Sequence, residues 1–375
     1  MRITDARLTV VPGRGQDMLL VVVRTDEGVH GLGEIGVRTS PGVSRAVLEH
    51  LRGVLIGADA TRIEHLWQTM SRGDFFPADR SAGCVISAID IALWDLRGKA
   101  YGVPVYELIG GRVRDYITCY THVHPEGHDT EAVVASARQL VGEGWRNLRL
   151  VVPTAGEVIE PRQAMRVAIE QFHAVRDAVG NEVELIIDAH TRLDPPEAVT
   201  LCRELESARP YFVEDVLRSE DLDAYRMLRS RTAVPLAAGE QLTSKWQFRA
   251  LIEGDLIDHA RIDLGIAGGL TEGRKIAAMA EAHHVKISTH NPLGPVSTAA
   301  AMHFNLTCPN FGLQEMPPQS VHKAINHPHT LADGNLSAPR LPGLGVDLDH
   351  ARIEASTAPS RTPQMRRLDG SFTNW

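Results

Sequence analysis

Three acidic residues recur at a fixed interval along this chain, and each ends an apolar run. Asp188 ends Glu-Leu-Ile-Ile-Asp, Glu214 ends Tyr-Phe-Val-Glu, and Glu240 ends Pro-Leu-Ala-Ala-Gly-Glu. The intervals from Asp188 to Glu214 and from Glu214 to Glu240 are both 26 residues. A strand, a turn, a helix and a second turn use about that length. The spacing predicts consecutive units of a (β/α) barrel, with the three carboxylates on neighbouring strand ends at its mouth.

This grouping of carboxylates also predicts a metal site. Three like charges at close range repel one another strongly unless a cation lies between them. A set made only of carboxylate oxygens is a hard-ligand site, and such sites suit Mg²⁺. Asp188, Glu214 and Glu240 are therefore the predicted Mg²⁺ ligands.

The rest of the chain indicates two structural units. Strand-like alternation up to about residue 36 is followed by helical patterns, the strongest from Ser81 to about Ala100, which indicates an α+β unit. From about Asp115, eight strand-like runs alternate with helical patterns, the number expected for a closed (β/α) barrel. We predict an α+β capping domain over 1–114, a (β/α) barrel over 115–336, and a tail over 337–375 that packs on the capping domain.

Composition and charge argue against several other classes of protein. The net charge is −8 and there is no long basic run, so no nucleic-acid partner is expected. Apolar stretches stay shorter than the roughly 18 residues of a membrane span, and the start of the chain lacks the apolar segment of a signal peptide. The cysteines are widely separated, which predicts free thiols in a reducing cytoplasm. A homo-oligomer is expected.

Further motifs give the chain a family resemblance through their order and spacing. They are Ile89-Asp-Ile-Ala-Leu-Trp-Asp95, Asp263-Leu-Gly-Ile-Ala-Gly-Gly269, Thr289-His-Asn-Pro-Leu-Gly-Pro295, Leu313-Gln-Glu315 and Leu368-Asp-Gly-Ser-Phe-Thr-Asn-Trp375. With the acidic residues above, the chain resembles the enolase superfamily, in its mandelate-racemase-like branch, and there the acid-sugar dehydratases similar to galactonate dehydratase. The resemblance implies a capping domain built from both chain ends over a modified barrel. It also implies Mg²⁺ and removal of a proton next to a substrate carboxylate.

His290 and Asp263 are the predicted catalytic base and its partner. They close neighbouring predicted strands, so Asp263 can orient the imidazole and stabilise its charge. The family carries a His-Asp pair at the matching positions. His190 lies two residues after Asp188 and matches the family's general acid, which protonates the leaving 3-hydroxyl. Because residues i and i+2 of a strand share a face, His190 is expected to face the mouth. The alternative for His290 is a buried hydrogen-bonded histidine, and the alternative for His190 is a histidine of a turn at the strand end.

The second barrel strand distinguishes dehydration from racemisation. Racemases of this branch carry a Lys-x-Lys pair there, whereas this chain has Arg149 and Val151. Arginine stays protonated and is a poor base, although it can hold the substrate or screen the intermediate. Cycloisomerase-like and dipeptide-epimerase-like members carry a lysine where this chain has Asp263. The cycloisomerase and dipeptide-epimerase functions are therefore less favoured. One base, His290, with an acid, His190, beside it favours β-elimination of water.

The charge of the predicted site requires local cations. Three carboxylates and Mg²⁺ leave a charge of about −1, and an acid sugar adds another negative charge. Arg149, Arg192 and a protonated His190 are the candidates. Glu315 ends the eighth strand, and its family match lies near the substrate carboxylate. That position requires Glu315 to be protonated or to accept a hydroxyl, and a salt bridge at the barrel rim is the alternative.

Three further residues are predicted to bind substrate. Phe75 and Phe76 lie in an expected loop over Ser71–Asp79 and form a lid or pack between the domains. His122 ends the first barrel strand and is expected to contact the substrate. This loop and the loop Gly13–Asp17 are expected to set which hydroxyl stereochemistry fits.

Together these motifs predict a Mg²⁺-dependent dehydratase. The expected reaction converts an aldonate, such as galactonate or a related hexonate or pentonate, into a 2-keto-3-deoxy acid through an enediolate. A mannonate- or gluconate-type dehydratase is the alternative. The mannonate type uses a tyrosine after the second strand, and residues 152–165 contain none. A one-base sugar-acid epimerase and a non-catalytic homologue that binds acid sugars are further alternatives.

Overall fold

The N-terminal part of the chain is an antiparallel sheet covered by helices. The computed structural model describes residues 1–13, 17–37, 39–125, 127, 129–317, 322–326, 330–353 and 364–373. The strands pair in the order β1-β2-β3 and are β1 (Ile3–Val11), β2 (Met18–Thr25) and β3 (His30–Glu34). The helices are α1 (Pro41–Leu55), α2 (Ile63–Arg72), α3 (Arg80–Tyr101) and α4 (Val105–Leu108).

Helix α3 is the centre of this unit and is buried over most of its length. It begins where the Asp79 side chain accepts the N–H of Ala82, and it ends at Gly102, whose φ of 70° is left-handed. Strand β3 lies against it at very short range. A Cβ on Gly33 would lie 1.8 Å from the carbonyl oxygen of Ala88. Only glycine therefore lets this strand and helix approach so closely.

The rest of the chain forms a closed parallel barrel. Its strands are β4 (Tyr116–His122), β5 (Asn147–Val151), β6 (Glu184–Asp188), β7 (Phe212–Glu214), β8 (Leu236–Ala238), β9 (His259–Ala260), β10 (Lys286–Thr289) and β11 (Phe311–Glu315). They pair in sequence order, and β11 closes on β4. The helices between them are α5 (Thr130–Gly142), α6 (Pro161–Val179), α7 (Pro195–Leu205), α8 (Leu222–Arg229), α9 (Lys245–Glu253), α10 (Gly269–Ala282) and α11 (Pro295–Thr307).

The barrel departs from a complete set of eight β/α units after its last strand. There the described residues form short strands instead of an α-helix, namely β12 (Ile325–Asn326), β13 (Leu331–Ala332), β14 (Asn335–Ser337) and β15 (Asp347–Leu348). The predicted fold, a modified barrel with an α+β capping domain, is confirmed. The predicted strand His259–Asp263 is too long, because β9 ends at Ala260 and the chain turns after Asp263. In the part of the chain that the structure describes, no helix has the length and hydropathy to span a membrane.

The C-terminal segment contacts both units. The Leu344 N–H donates to Asp95 of α3 at 2.7 Å, and Asp347 lies 2.8 Å from His30 of β3. Strand β14 instead pairs with β4 of the barrel. The domain boundaries after residues 114 and 336 stay our proposal.

The close approach of β3 to α3 can be tested by adding a side-chain atom at Gly33. We expect Gly33→Ala to lower the free energy of unfolding by at least about 2 kcal/mol, because overpacking against backbone forces the strand away from α3. Gly53→Ala in α1 is the matched control, since Gly53 is exposed and a Cβ there would meet no atom within 4 Å. That control should gain about 0.5–1 kcal/mol from helix propensity. Urea denaturation measures both, and equal effects would contradict the described packing.

Candidate active site

Three carboxylates meet at the mouth of the barrel. Asp188 and Glu214 are the last residues of β6 and β7 and lie in register, and Glu240 follows β8 by two residues. One ligand oxygen from each lies within 4.8 Å of the other two. Because parallel neighbouring strands end at the same edge, the 26-residue spacing brings these side chains together as predicted.

The chemistry of these three groups fits a hard divalent cation. Glu214 Oε2 and Glu240 Oε2 are buried atoms that accept no hydrogen bond from the described residues, whereas Asp188 Oδ2 lies 2.7 Å from His190 Nε2 and 3.0 Å from the Arg149 guanidinium. Burial is the main cause that raises the pKa of Glu214 to about 8, with Arg261 opposing it and Asp188 adding to it. A bound Mg²⁺ would supply the missing partner of Glu214 Oε2 and Glu240 Oε2 and would favour the negative charge on Glu214.

Arg149 supplies positive charge beside these carboxylates. Its guanidinium lies 3.0 Å from Asp188, 3.5 Å from Glu315 and 4.0 Å from Glu214. Burial alone would lower the pKa of Arg149, but Asp188 and Glu315 raise it above its ordinary value. Arg149 therefore stays protonated at any working pH and balances charge instead of taking a proton.

The predicted pair of His290 and Asp263 lies beside Glu240 of the carboxylate group. His290 Nδ1 lies 2.9 Å from Asp263 Oδ2, and His290 Nε2 lies 3.4 Å from Glu240 Oε2. His290 directly follows β10, and its own N–H donates to the Ile262 carbonyl at 3.1 Å. Burial lowers the pKa of His290, but Glu240 and the Asp263 hydrogen bond outweigh it and raise the pKa to about 9.

His190 reaches the same mouth by a turn instead of by strand alternation. Strand β6 ends at Asp188, and His190 has a left-handed φ of 48°. The carboxylate of Asp188 holds this turn, because its Oδ1 accepts the His190 N–H at 2.7 Å. The imidazole Nε2 then lies 2.7 Å from Asp188 Oδ2. The predicted proximity is observed, whereas the i, i+2 strand argument for it is wrong.

Glu315 is the centre of a buried group of charges. It ends β11, accepts the Asn291 N–H at 2.9 Å, and lies 2.8 Å from His122 Nε2. Burial would raise the pKa of Glu315, but Arg149 and His122 lower it well below its ordinary value. Glu315 is therefore ionised, and it forms ion pairs with Arg149 at 3.5 Å and Arg261 at 3.1 Å, which are salt bridges of the kind that the alternative expected. Its contact with a substrate hydroxyl stays a prediction. Glu315 is fully buried and not at the rim.

Arg261 is a site residue that the sequence reasoning missed. It is 0% exposed and pairs with Glu214, and it also donates to Glu315 at 3.1 Å, Tyr120 at 2.6 Å and the Ser288 carbonyl at 2.8 Å. One signal could have found it. Arg261 lies two residues before Asp263, in the run that leads from β9 to the mouth.

The remaining predicted substrate contacts have different surroundings. Arg192 is buried, and its guanidinium donates to the Val152 carbonyl at 2.5 Å. Phe75 and Phe76 are 88% and 76% exposed and contact each other edge to face. The alternative prediction, that they pack between the domains, is therefore wrong. Their lid role and the substrate role of Arg192 stay predictions. Of the loop Gly13–Asp17, residues 14–16 lie outside the described residues.

The buried Arg261 should be important for folding. In Arg261→Met, Glu214 and Glu315 lose a buried charge partner, and we expect the free energy of unfolding to fall by about 3–5 kcal/mol. Arg203→Met, at an exposed arginine on α7, is the control and should change it by less than about 0.5 kcal/mol. Urea denaturation measures both variants. If Arg261→Met were as stable as the control, the ion pairs of Arg261 with Glu214 and Glu315 would contribute nothing to stability.

His122 should make stability depend on pH. Burial and then Arg149 lower the pKa of His122 to about 4, from an ordinary value of 6.5. Between pH 6.5 and pH 4, His122 is therefore protonated in the unfolded chain but neutral in the folded protein. The contribution of neutral His122 to the free energy of unfolding is complete above pH 6.5 and is lost as the pH falls toward 4. We expect His122→Gln, which can still donate to Glu315, to remove about 2 kcal/mol of the stability difference between pH 7 and pH 4.5. Urea denaturation at both values tests this, and an unchanged difference would contradict it.

Comparisons with known proteins place the chain in a family. The mandelate racemase / muconate lactonizing enzyme N-terminal domain matches residues 5–110, and the enolase C-terminal domain-like model matches residues 132–352. The chain is 38% identical to a D-galactonate dehydratase of Ralstonia pickettii and 36% identical to a D-mannonate dehydratase of Sphingomonas, in both cases over 100% of each chain.

A solved structure supports the same placement. An enolase from Pantoea ananatis, with bound D-gluconate and Mg, has a TM-score of 0.92 and 29% identity, and the match covers 100% of this chain and 99% of that one. The resemblance to acid-sugar dehydratases is thus confirmed, and the chain belongs to the mandelate racemase/muconate lactonizing enzyme family of the enolase superfamily.

Proposed function

We propose that this protein is a Mg²⁺-dependent hydro-lyase that dehydrates an aldonate to a 2-keto-3-deoxy acid. The observation that carries the proposal is the His290–Asp263 pair facing the three carboxylates, with His290 Nε2 at 3.4 Å from Glu240. The similarity to D-galactonate dehydratases along the whole chain supports a galactonate-like substrate. The bound D-gluconate and Mg in a similar structure support both the substrate class and the ion.

Asp188, Glu214 and Glu240 would hold the ion. When bound there, Mg²⁺ stabilises the negative charge that develops on a substrate carboxylate as the neighbouring proton leaves. Arg149 adds positive charge on the Asp188 side of the group, 3.0 Å from that carboxylate. Because Arg149 keeps its proton, it screens the developing charge and does not compete as a base.

His290 would remove the C2 proton. The hydrogen bond from Nδ1 to Asp263 fixes the tautomer in which Nε2 has the free lone pair. Glu240 is the largest of the charges that raise the pKa of His290, so a cation at Glu240 would move that pKa back toward neutrality. A base with a pKa near the working pH is the efficient one.

His190 would act as the general acid. The two imidazoles contact different members of the carboxylate group, His190 at Asp188 and His290 at Glu240, so they lie on two sides of it. The electron pair of the broken C2–H bond is first delocalised into the substrate carboxylate, which gives the enediolate, and then forms the C2–C3 double bond as the C3–O bond breaks. His190 gives its proton to the departing hydroxyl, which leaves as water, and the enol becomes the 2-keto acid.

A library of aldonates tests this function. With Mg²⁺, wild-type protein should form a semicarbazide-reactive 2-keto acid from at least one of them. His290→Asn should lower kcat by about 10²–10⁴-fold through loss of the base. His283→Asn, at a histidine on the outside of the barrel after α10, should match the wild type. Turnover by no acid sugar, or equal rates for His290→Asn and wild type, would refute the dehydratase proposal.

Metal binding can be tested separately from turnover. We expect calorimetry to detect Mg²⁺ binding to wild type and at least a tenfold weaker affinity for Glu240→Gln, because the amide has no charge and one fewer acceptor oxygen. His283→Asn again serves as the control. Equal affinities for wild type and Glu240→Gln would exclude Glu240 as a ligand.

The rival substrate is mannonate, and it is supported by similarity to D-mannonate dehydratases. Residues 152–165 lack the tyrosine expected for that type, so galactonate-like substrates come first. Deuterium uptake at C2 without dehydration would instead identify an epimerase. Calorimetric binding of an acid sugar without product would identify a non-catalytic binding protein.

We also infer a cytoplasmic, homo-oligomeric protein. All four cysteines are buried free thiols, which supports a reducing compartment. Light scattering after gel filtration gives the oligomeric state.

A further inference from the structure

The end of β3 lies against the loop that carries His290. Glu34 is 1% exposed, and its two carboxylate oxygens accept the N–H groups of Gly294 at 2.7 Å and Ser297 at 2.9 Å. Gly294 is the N-cap residue of α11, and Ser297 lies in its first turn. Glycine has no side chain to cap the helix, so a carboxylate 260 residues away supplies the cap.

This contact fixes one end of a short loop. His290 and Asn291 are held to the barrel at the other end, through the Ile262 carbonyl at 3.1 Å and Glu315 at 2.9 Å. Only residues 292–293 separate this end from Gly294. The position of the His290 loop is therefore determined by the barrel on one side and by Glu34 on the other.

A second contact from the same segment reaches the loop of Asp263. The Gly36 N–H donates to the Gly265 carbonyl at 3.2 Å, and the Gly265 N–H donates to Asp263 Oδ1 at 2.8 Å. A Cβ on Gly36 would lie 2.6 Å from that Gly265 carbonyl. The segment 34–36 thus contacts the loops of both members of the His-Asp pair.

We infer that Glu34–Gly36 is a positioning segment for proton removal, in which Glu34 holds the His290 loop and Gly36 holds the Asp263 loop. The inference rests on the proposed function, in which His290 removes the C2 proton. Glu34 acts through the backbone of α11 and does not touch His290 in the described structure. Small displacements of a base matter, since a shift of about 1 Å costs on the order of 10²-fold in rate.

Two variants of Glu34 separate positioning from folding. Glu34→Ala removes both acceptor oxygens, whereas Glu34→Gln keeps one of them in the same shape. Asp95→Asn is the matched control, because Asp95 is also a fully buried carboxylate that accepts two backbone N–H groups, from Leu32 and Leu344. Neither of those groups belongs to the loops of the His-Asp pair.

The first readout is kinetic, on the best aldonate of the library. We expect kcat of Glu34→Ala to fall by about 10²-fold while KM and calorimetric Mg²⁺ affinity stay within threefold, with partial recovery in Glu34→Gln. The isotope effect on kcat with C2-deuterated substrate should increase, because proton removal becomes the slow step. Asp95→Asn should lose stability but keep the wild-type kcat and isotope effect.

The second readout does not need turnover. Hydrogen exchange at the Gly294 and Ser297 amides should be at least tenfold faster in Glu34→Ala and unchanged in Asp95→Asn. Unchanged exchange in Glu34→Ala would show that Glu34 does not hold the loop. Faster exchange with wild-type kcat and isotope effect would show that Glu34 is a helix cap only. A wild type without turnover would refute the proposed dehydratase and the positioning role with it, while the exchange rates would still show whether Glu34 holds the loop.

Discussion

The concentration of buried carboxylates at the barrel mouth is the constraint on which the site depends. Asp188, Glu214 and Glu240 converge within 4.8 Å, and burial makes their repulsion far more costly than it would be in water. Arg149 and the fully buried Arg261 offset part of this charge through direct ion pairs. The proposed divalent cation would offset the remaining negative charge. With that ion, the arginines and the carboxylates would form one electrostatic unit, in which a change of one member alters the charge balance of the others.

The parts of the structure that depend on local pattern could be predicted from the sequence. The 26-residue interval predicted the barrel and the acidic residues at its mouth, because each β/α unit is built from residues that are neighbours in the sequence. The interval does not predict the partners of Arg261 and Glu34, although Arg261 has a signal in its position two residues before Asp263. Arg261 pairs with Glu214, 47 residues away, and Glu34 contacts Gly294, 260 residues away. Such pairs arise only when distant elements pack, and a single sequence has no periodicity that records them.

His190 shows how a correct location can follow from an incorrect local argument. Strand alternation predicted that it would face the mouth, yet β6 ends before it. A left-handed turn held by the Asp188 carboxylate brings the imidazole back to the same carboxylate. Positive φ is uncommon for histidine and costs free energy, which the hydrogen bond to Asp188 helps to offset. A local contact between Asp188 and the N–H two residues later holds this backbone, and the general-acid role of His190 stays a prediction.

The acidic ligands and the proposed base are supported in different ways. Asp188 and Glu214 end strands whose register is set by the barrel ladder, so the barrel itself holds them. His290 and the residues around Asp263 follow their strands and lie on loops, where contacts from the N-terminal unit complete the support. Loops are the more mobile parts of a fold, so a base on a loop depends on such outside contacts. In the proposed mechanism, changes in the capping domain would therefore alter proton transfer while the barrel keeps the geometry of the carboxylates, so mutations would separate proton removal from metal binding.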